Sequence, residues 1–135
     1  MSTDSKPRKI TLGGDRLGPP LGPYSHAAVA GGLAFVSGQG ARDGRTGAFV
    51  PGGTREQTGQ TMKDVLAVLN SMGLDFSDVV KVNAYLSDIR DFQQFNEAYG
   101  AFFAGIVPPA RTTLQAVLPR EGMLVEIEVI AKTRT

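Results

Sequence analysis

The polar side chains with the clearest chemical potential lie in two segments near the carboxyl end of the chain. Arg111 and Thr113 alternate along one segment, and Glu126 and Glu128 alternate along the last apolar segment. An arginine can clamp a carboxylate through two parallel hydrogen bonds because its guanidinium is a planar fork. A glutamate a few ångströms away can hold and polarise a water. Together these residue types suit a small carboxylate and an attacking water.

Four other polar residues are candidates for lining a pocket. Tyr24 follows Pro23, so its ring covers a pocket or packs on a sheet. Ser37 ends an apolar run and lacks a neighbouring His or Lys that would activate it as a nucleophile. Asn96 falls on or near the apolar stripe of a predicted helix, where it is either a core amide or a pocket residue. His26 is either a general base or structural.

Composition removes several classes of function. The chain has no cysteine and one histidine, which excludes disulfides, thiolate nucleophiles and cysteine-ligated metal centres. Its 14 Lys and Arg balance 13 Asp and Glu, and a net charge of +1 makes nucleic acid an unlikely partner. No apolar run approaches the roughly 20 residues of a membrane span. The polar start of the chain has no signal-peptide core. We therefore expect a cytoplasmic protein that binds neither a membrane nor nucleic acid.

These residues are positioned by a pattern of five strands and two helices. Gly31-Gly32 between two apolar runs predicts a hairpin. Thr54 with Gln57 predicts a capping box, and Gly73 predicts the end of the same helix. The predicted elements are strands at 27–30 and 33–36, a helix at about 55–72, a strand at 79–86, a helix at about 91–104, and strands at 111–118 and 123–132.

The predicted fold is α+β, a single mixed sheet with two helices on one face in the order β-β-α-β-α-β-β. Residues 10–135 form one domain, and residues 1–9 form a flexible tail without an apolar anchor. The strand at 79–86 is expected to turn one face toward the core, carrying Val80, Val82, Ala84 and Leu86. Asp91 is expected to cap the second helix.

Side-chain alternation assigns faces to the last two strands. The final strand has an unbroken apolar face, which must lie under the helices: Met123, Val125, Ile127, Val129 and Ala131. In the preceding strand Leu114, Ala116 and Leu118 form the apolar side. A hairpin between the two strands would place Arg111, Thr113, Glu126 and Glu128 together on the helix-free face. That face is either solvated, with cross-strand charge pairs, or covered by another subunit.

Five motifs in register resemble the Rid family, the reactive intermediate deaminases, also called the perchloric-acid-soluble or translation-inhibitor family. The resemblance covers about residues 18–134. The motifs are Gly22-Pro23-Tyr24-Ser25, Phe35-Val36-Ser37-Gly38-Gln39, Asn96-Glu97-Ala98-Tyr99 with Phe102-Phe103, Pro109-Ala110-Arg111, and Val125-Glu126-Ile127-Glu128.

The resemblance implies a chorismate-mutase-like fold assembled as a homotrimer with sites between subunits. It implies hydrolysis of 2-imino and 2-enamino acids to 2-keto acids and ammonia, without metal or cofactor. Arg111 would bind the substrate carboxylate and Glu126 would orient the attacking water. Tyr24, Ser37 and Asn96 would line the pocket, as would Thr113.

The sequence departs from the family pattern at three places. Thr113 stands where many active members carry cysteine, Gly40-Ala41 replaces a common Ile-Pro pair, and His26 replaces a residue that is often glutamine. Three alternatives therefore stay open. One is a specialised deaminase of an aminomuconate-like catabolic intermediate, and another is a non-catalytic trimer that binds small carboxylates or acts as a chaperone. An endoribonuclease is the least favoured, because the chain is nearly neutral and shows no evident acid–base pair.

Overall fold

A computed structural model describes residues 6–14 and 16–134. These residues form one six-stranded sheet in the order β1-β2-β3-β6-β4-β5. The elements are β1 (Arg8–Ile10), β2 (Ala27–Ala30), β3 (Leu33–Gln39), α1 (Thr54–Ser71), β4 (Val79–Leu86), α2 (Phe92–Gly100), β5 (Ala110–Gln115) and β6 (Val125–Lys132), with short 3-10 turns at Phe76–Asp78, Ile89–Asp91 and Ala101–Phe103. The expected α+β class and mixed sheet are confirmed. Within the described part of the chain, no helix has the length and apolar character needed to cross a membrane.

The N-terminal strands confirm the predicted hairpin and add one strand. Gly31 and Gly32 have φ of +59° and +78°, the conformation that a tight turn between antiparallel strands requires. The flexible tail predicted over residues 1–9 is wrong at Arg8 and Lys9, because these residues form β1 and pair with β2. The first five residues of that predicted tail lie outside the described residues.

The core lies between the sheet and the two helices. The predicted apolar face of β6 is buried in full, as expected for the layer under the helices: Met123, Val125, Ile127, Val129 and Ala131. In β4 the prediction is wrong for Val80, which is 47% exposed, whereas Val79 is buried. The cause is a β-bulge between Val79 and Lys81, which shifts the alternation by one residue.

The N-cap of the first helix lies one residue before the predicted cap, and the N-cap of the second helix is the predicted residue. The N-cap of α1 is Gly53, and Glu56 Oε1 accepts a hydrogen bond from its backbone N–H at 2.7 Å. Thr54 Oγ1 instead donates to Asp91 Oδ2 at 2.8 Å, linking the two helices. Asp91 is the N-cap residue of α2 but makes no side-chain cap bond. Gly73 follows α1 with φ +72°, as predicted.

The predicted hairpin between β5 and β6 is wrong. β5 pairs in parallel with β4, which lies between β5 and β6. The segment β4–α2–β5 is therefore a parallel crossover. Helix α2 carries the chain back to the end of the sheet at which β4 begins, so that β5 runs in the same direction as β4. In this register Arg111 lies opposite Val82, and Thr113 lies opposite Ala84. Val82 and Ala84 are both buried in the core on the helix side of the sheet. Leu114 lies on the other face and is 53% exposed.

Candidate active site

A cleft of about 490 Å³ opens at one end of the sheet, where β3 ends and β6 begins. This size is typical of small-molecule sites, roughly 300–1,000 Å³. One side is apolar and comes from the loop before β2; the other carries most of the polar groups. The lining residues that matter below are Tyr24, Ser37, Arg42, Arg120, Glu126 and Glu128.

Glu126 is held in the cleft by a local irregularity of β3. The register between β3 and β6 shifts between Val36 and Gln39, so β3 carries one extra residue there. At this bulge a Cβ on Gly38 would lie 2.7 Å from Glu126 Oε2 and 2.9 Å from Glu126 Cδ. The carboxyl group therefore occupies the space that any side chain at position 38 would need.

A second carboxylate perturbs the titration of Glu126. Burial raises the pKa of Glu126, and the charge of Glu128 on the same face of β6 raises it further. Glu128 Oε1 accepts a hydrogen bond of 2.6 Å from Tyr85 Oη, and this bond is the main reason that the pKa of Tyr85 is raised. The pKa of Glu126 is therefore closer to neutral pH than that of an exposed glutamate, which suits a group that accepts and returns a proton.

Ser37 and Tyr24, two of the predicted pocket residues, line the same cleft as Glu126. Ser37 Oγ donates to the carbonyl of Ser25 at 2.7 Å, so the hydroxyl fastens β3 to the loop before β2. Tyr24 is 49% exposed, and its Oη accepts a hydrogen bond of 3.2 Å from the N–H of Leu21. Tyr24 thus presents a ring to the cleft while shaping its own loop.

His26 also lines the cleft; it is buried, and its side chain connects the start of β2 to the segment after β1. Its Nδ1 accepts a hydrogen bond of 2.8 Å from the backbone N–H of Leu12. Burial lowers the pKa of His26, against the opposing effect of a hydrogen bond to the Gly18 backbone. These contacts favour a structural role over that of a general base.

Arg111 lies outside the cleft, on the helix side of the sheet. Its guanidinium carbon lies 4.8 Å from the ring centroid of Tyr99, 5.2 Å from that of Phe95 and 5.7 Å from that of Phe92. These cation–π contacts to α2 hold the arginine, which has no carboxylate partner among the described residues. The expectation that Arg111 and Thr113 share a face with Glu126 and Glu128 is therefore wrong within one chain.

Unpaired polar atoms accompany Arg111 on α2 and β5. Three buried atoms, Asn96 Oδ1, Tyr99 Oη and Thr113 Oγ1, have no hydrogen-bond partner among the described residues. Buried polar atoms are normally paired, so such a group is suited to receive a polar ligand or a neighbouring chain. The predicted site residues thus form two groups: Tyr24, Ser37 and Glu126 in the cleft, and Arg111, Asn96 and Thr113 at the edge strand and α2.

Sequence reasoning missed Arg42 and Arg120, which line the cleft, and Tyr85, which donates a hydrogen bond to Glu128. Alternation along β4 is sufficient to place Tyr85 on the helix-free face with Glu128, although the partner strand was not known. Arg42 and Arg120 follow no periodic pattern, because both lie in irregular segments. For residues 6–14 and 16–134, no three His, Asp or Glu side chains form a cluster that could ligate a metal ion.

Comparisons with known proteins find one family over nearly the whole chain. The family model described as Endoribonuclease L-PSP matches residues 15–133. A RutC family protein of Pyrococcus horikoshii, PH0854, is 40% identical over 83% of this chain and 88% of its own. The mouse protein named 2-iminobutanoate/2-iminopropanoate deaminase is 40% identical over 82% of each chain. The crystal structure of YyfA from Yersinia pestis, described as a Rid family protein of unknown function, is 34% identical with a TM-score of 0.86, covering 95% of this chain and 100% of that one.

Proposed function

This chain belongs to the Endoribonuclease L-PSP family, the Rid family, and on that basis we propose that it is a hydrolytic deaminase of 2-imino and 2-enamino acids. The products are a 2-keto acid and ammonia. The observation that carries the proposal is Glu126, a half-buried carboxyl group held against Gly38 in a cleft of substrate size. Mammalian relatives that bear the deaminase name support the same reaction.

The proposed reaction requires few catalytic groups from the protein. The carbon of a protonated imine is already electrophilic, so a positioned water is sufficient to attack it. Glu126 accepts a proton from this water as the C–O bond forms, which gives a carbinolamine. Transfer of that proton to nitrogen makes ammonia the leaving group. The C–N bond then breaks as the hydroxyl group gives its proton to the Glu126 carboxylate and becomes the carbonyl, and the released ammonia takes up this proton as ammonium. The raised pKa of Glu126 suits a group that takes and returns one proton.

The carboxylate of the substrate requires a cation, and Arg111 supplies it in this proposal. Arg111 does not line the cleft of its own chain, so the arginine at each site comes from a neighbouring copy. The helix-free face supports association, because it exposes large apolar side chains beside its charges, among them Phe35 at 43% and Leu114 at 53%. We propose a homotrimer with its sites between subunits, each combining the cleft of one copy with Arg111, Asn96 and Thr113 of another.

The test is release of ammonia and keto acid from imines that an amino-acid oxidase generates in situ. We expect wild-type protein to accelerate release and Arg111→Ala to lose activity on the order of 100-fold, because a positioned carboxylate clamp is removed. The matched control is Arg55→Ala, whose side chain pairs with Glu97 on the helix surface at 2.8 Å. Full activity of Arg111→Ala would overturn the assignment of the clamp.

A non-catalytic carboxylate-binding trimer is the second candidate, favoured by the arginine held beside unpaired polar atoms. It predicts no acceleration for any imine, and binding of 2-keto acids that survives Glu126→Gln. Turnover in wild type that Glu126→Gln abolishes would exclude it.

A further inference from the structure

Two arginines of the cleft, Arg42 and Arg120, differ from most other arginines in having no carboxylate partner within the part of the chain that the structure describes. Among residues 6–14 and 16–134, five arginines form ion pairs, as follows: Arg16 with Asp64, Arg45 with Asp43, Arg55 with Glu97, Arg90 with Asp88, and Arg134 with Asp75 and Asp78. Arg42 and Arg120 form none in this part of the chain, although Glu126 and Glu128 line the same cleft. The cleft therefore contains two cations whose charge is not compensated by a direct contact.

The fold brings these two arginines to the same end of the sheet. Gln39 at the end of β3 pairs with Ile127 near the start of β6. Arg42 follows the end of β3, and Arg120 lies in the turn before β6, so both line the cleft that also contains Glu126. Arg42 is fixed through its main chain, because its carbonyl accepts a hydrogen bond from Arg16.

The rest of the lining fits a short carbon chain between charged ends. The opposite wall is apolar and comes from Leu17, Pro19, Pro20 and Leu21. A guanidinium group binds a carboxylate through two parallel hydrogen bonds, because both groups are planar. In the proposed assembly Arg111 of a neighbour holds the carboxylate next to the imine carbon, which leaves Arg42 and Arg120 free for a second anion.

We propose that Arg42 and Arg120 form a subsite for a second carboxylate, so that the cleft favours 2-imino acids with an acidic side chain. This inference rests on the proposed deaminase function and concerns its substrate class. An imine of this kind is the product of an oxidase or dehydrogenase acting on an acidic amino acid, so such a reaction must supply the substrate.

The experiment compares two imines of equal carbon number. Iminosuccinate carries a second carboxylate where 2-iminobutanoate carries a methyl group, and both can be generated in situ by oxidases. The measured quantity is the ratio of kcat/KM for iminosuccinate to kcat/KM for 2-iminobutanoate. We expect the ratio to exceed one for wild type and to fall about tenfold or more in the Arg42→Gln/Arg120→Gln double variant, since charge-assisted hydrogen bonds are lost. Arg55→Gln, with its ion pair on the helix surface, is the control and should keep the wild-type ratio.

The outcomes separate this inference from the proposed function. A ratio that the double variant leaves unchanged, or an equal loss for both imines, overturns the subsite while the deaminase stands. If wild type accelerates neither imine, the deaminase proposal fails, and calorimetry with oxaloacetate and 2-ketobutanoate then tests the subsite alone. Tighter binding of oxaloacetate that the double variant loses supports the subsite, and equal binding of the two overturns it.

Discussion

At the scale of single residues, the cleft depends on the contact between Gly38 and Glu126. Gly38 has no positive φ, so its backbone tolerates a side chain. The obstacle is the Glu126 carboxyl group, which lies at the end of a flexible side chain and can move aside. We therefore propose that Gly38, by leaving room for this carboxyl group, positions Glu126 for the proposed reaction.

Gly38→Ala is expected to reduce kcat by about 10- to 100-fold, because it displaces the carboxyl group by an ångström or more. The midpoint of thermal unfolding should change little, since no main-chain atom has to shift. The matched control is Gly13→Ala, where a Cβ meets nothing within 4 Å. Wild-type kcat in Gly38→Ala would contradict the positioning role.

The two carboxyl groups of β6 make a second prediction, for the dependence of activity on pH. Burial and the charge of Glu128 both raise the pKa of Glu126. As pH falls through this raised pKa, the carboxylate that accepts the proton from water is lost, and activity declines earlier than for an ordinary glutamate. In Glu128→Gln the neighbouring charge is absent, so the acid limb of kcat/KM should move to lower pH. An acid limb that stays in place, or moves upward, would show that Glu128 does not tune Glu126.

At the scale of elements, the loop before β2 is anchored to α1 by a buried carboxyl group. Asp64 is 3% exposed; Arg16 Nη2 lies 3.4 Å from its Oδ2, and Gln60 donates to its Oδ1 at 3.0 Å. Burial raises the pKa of Asp64 to about 6, against the opposing effects of Gln60 and Arg16. The same loop supplies the apolar wall of the cleft, so this contact positions the wall relative to α1.

The pKa of Asp64 predicts how stability changes with pH. Because the pKa is higher in the folded than in the unfolded chain, the group contributes stability below its ordinary value of 3.8 that is lost as pH rises to about 6. As pH rises from 3.8 to about 6, the free energy of unfolding of wild type should fall by about 1–3 kcal/mol relative to that of Asp64→Asn, which has no titrating group at position 64. Urea unfolding of both proteins from pH 4 to pH 7 measures the difference. Parallel stability curves would contradict the shifted titration.

Prediction of the elements from sequence succeeded where the signal is local. The hairpin at Gly31-Gly32, the extent of β4 and the end of α1 at Gly73 all follow from a few neighbouring residues. The partner of β5 did not follow, because strands separated by a turn and strands separated by a helix both satisfy the pattern. The hydrophobic pattern also predicted the wrong faces for β5. Leu114 is exposed, while Arg111 packs over the rings of α2.

At the scale of the whole molecule, the two groups of predicted site residues lie on opposite faces of the sheet, so they cannot form one site within a single chain. Glu126 lies on the helix-free face of a central strand, and Arg111 lies on the helix face of the edge strand. The proposed homotrimer resolves this division by joining the cleft of one copy to the edge strand of the next. Its solution mass should be three times 14.3 kDa.

The divided site predicts recovery of activity on mixing two inactive variants. Arg111→Ala and Glu126→Gln each inactivate every site of their own trimer. In a mixed trimer, one of the three sites combines an intact Arg111 with an intact Glu126. Random reassembly of equal amounts after unfolding and refolding should therefore restore about one quarter of wild-type activity, as cyclic symmetry requires. Each variant refolded alone is the control. No recovery in verified mixed trimers would place both residues in one subunit's site.

By itself, the sequence determined the class of fold, the family, and the presence of Glu126 and Glu128 side by side on the helix-free face. The fold class and the positions of the two glutamates follow from local periodicity, because alternation along a strand relates each residue to the next. The family follows from the resemblance of five motifs in register. The tertiary structure decided which strand pairs with β5, and with it the face and the surroundings of Arg111. It also decided that Arg42 and Arg120 line one cleft and that Gly38 leaves room for the Glu126 carboxyl group. Such contacts join segments that are distant along the chain, and their geometry is set by packing, which no local pattern encodes.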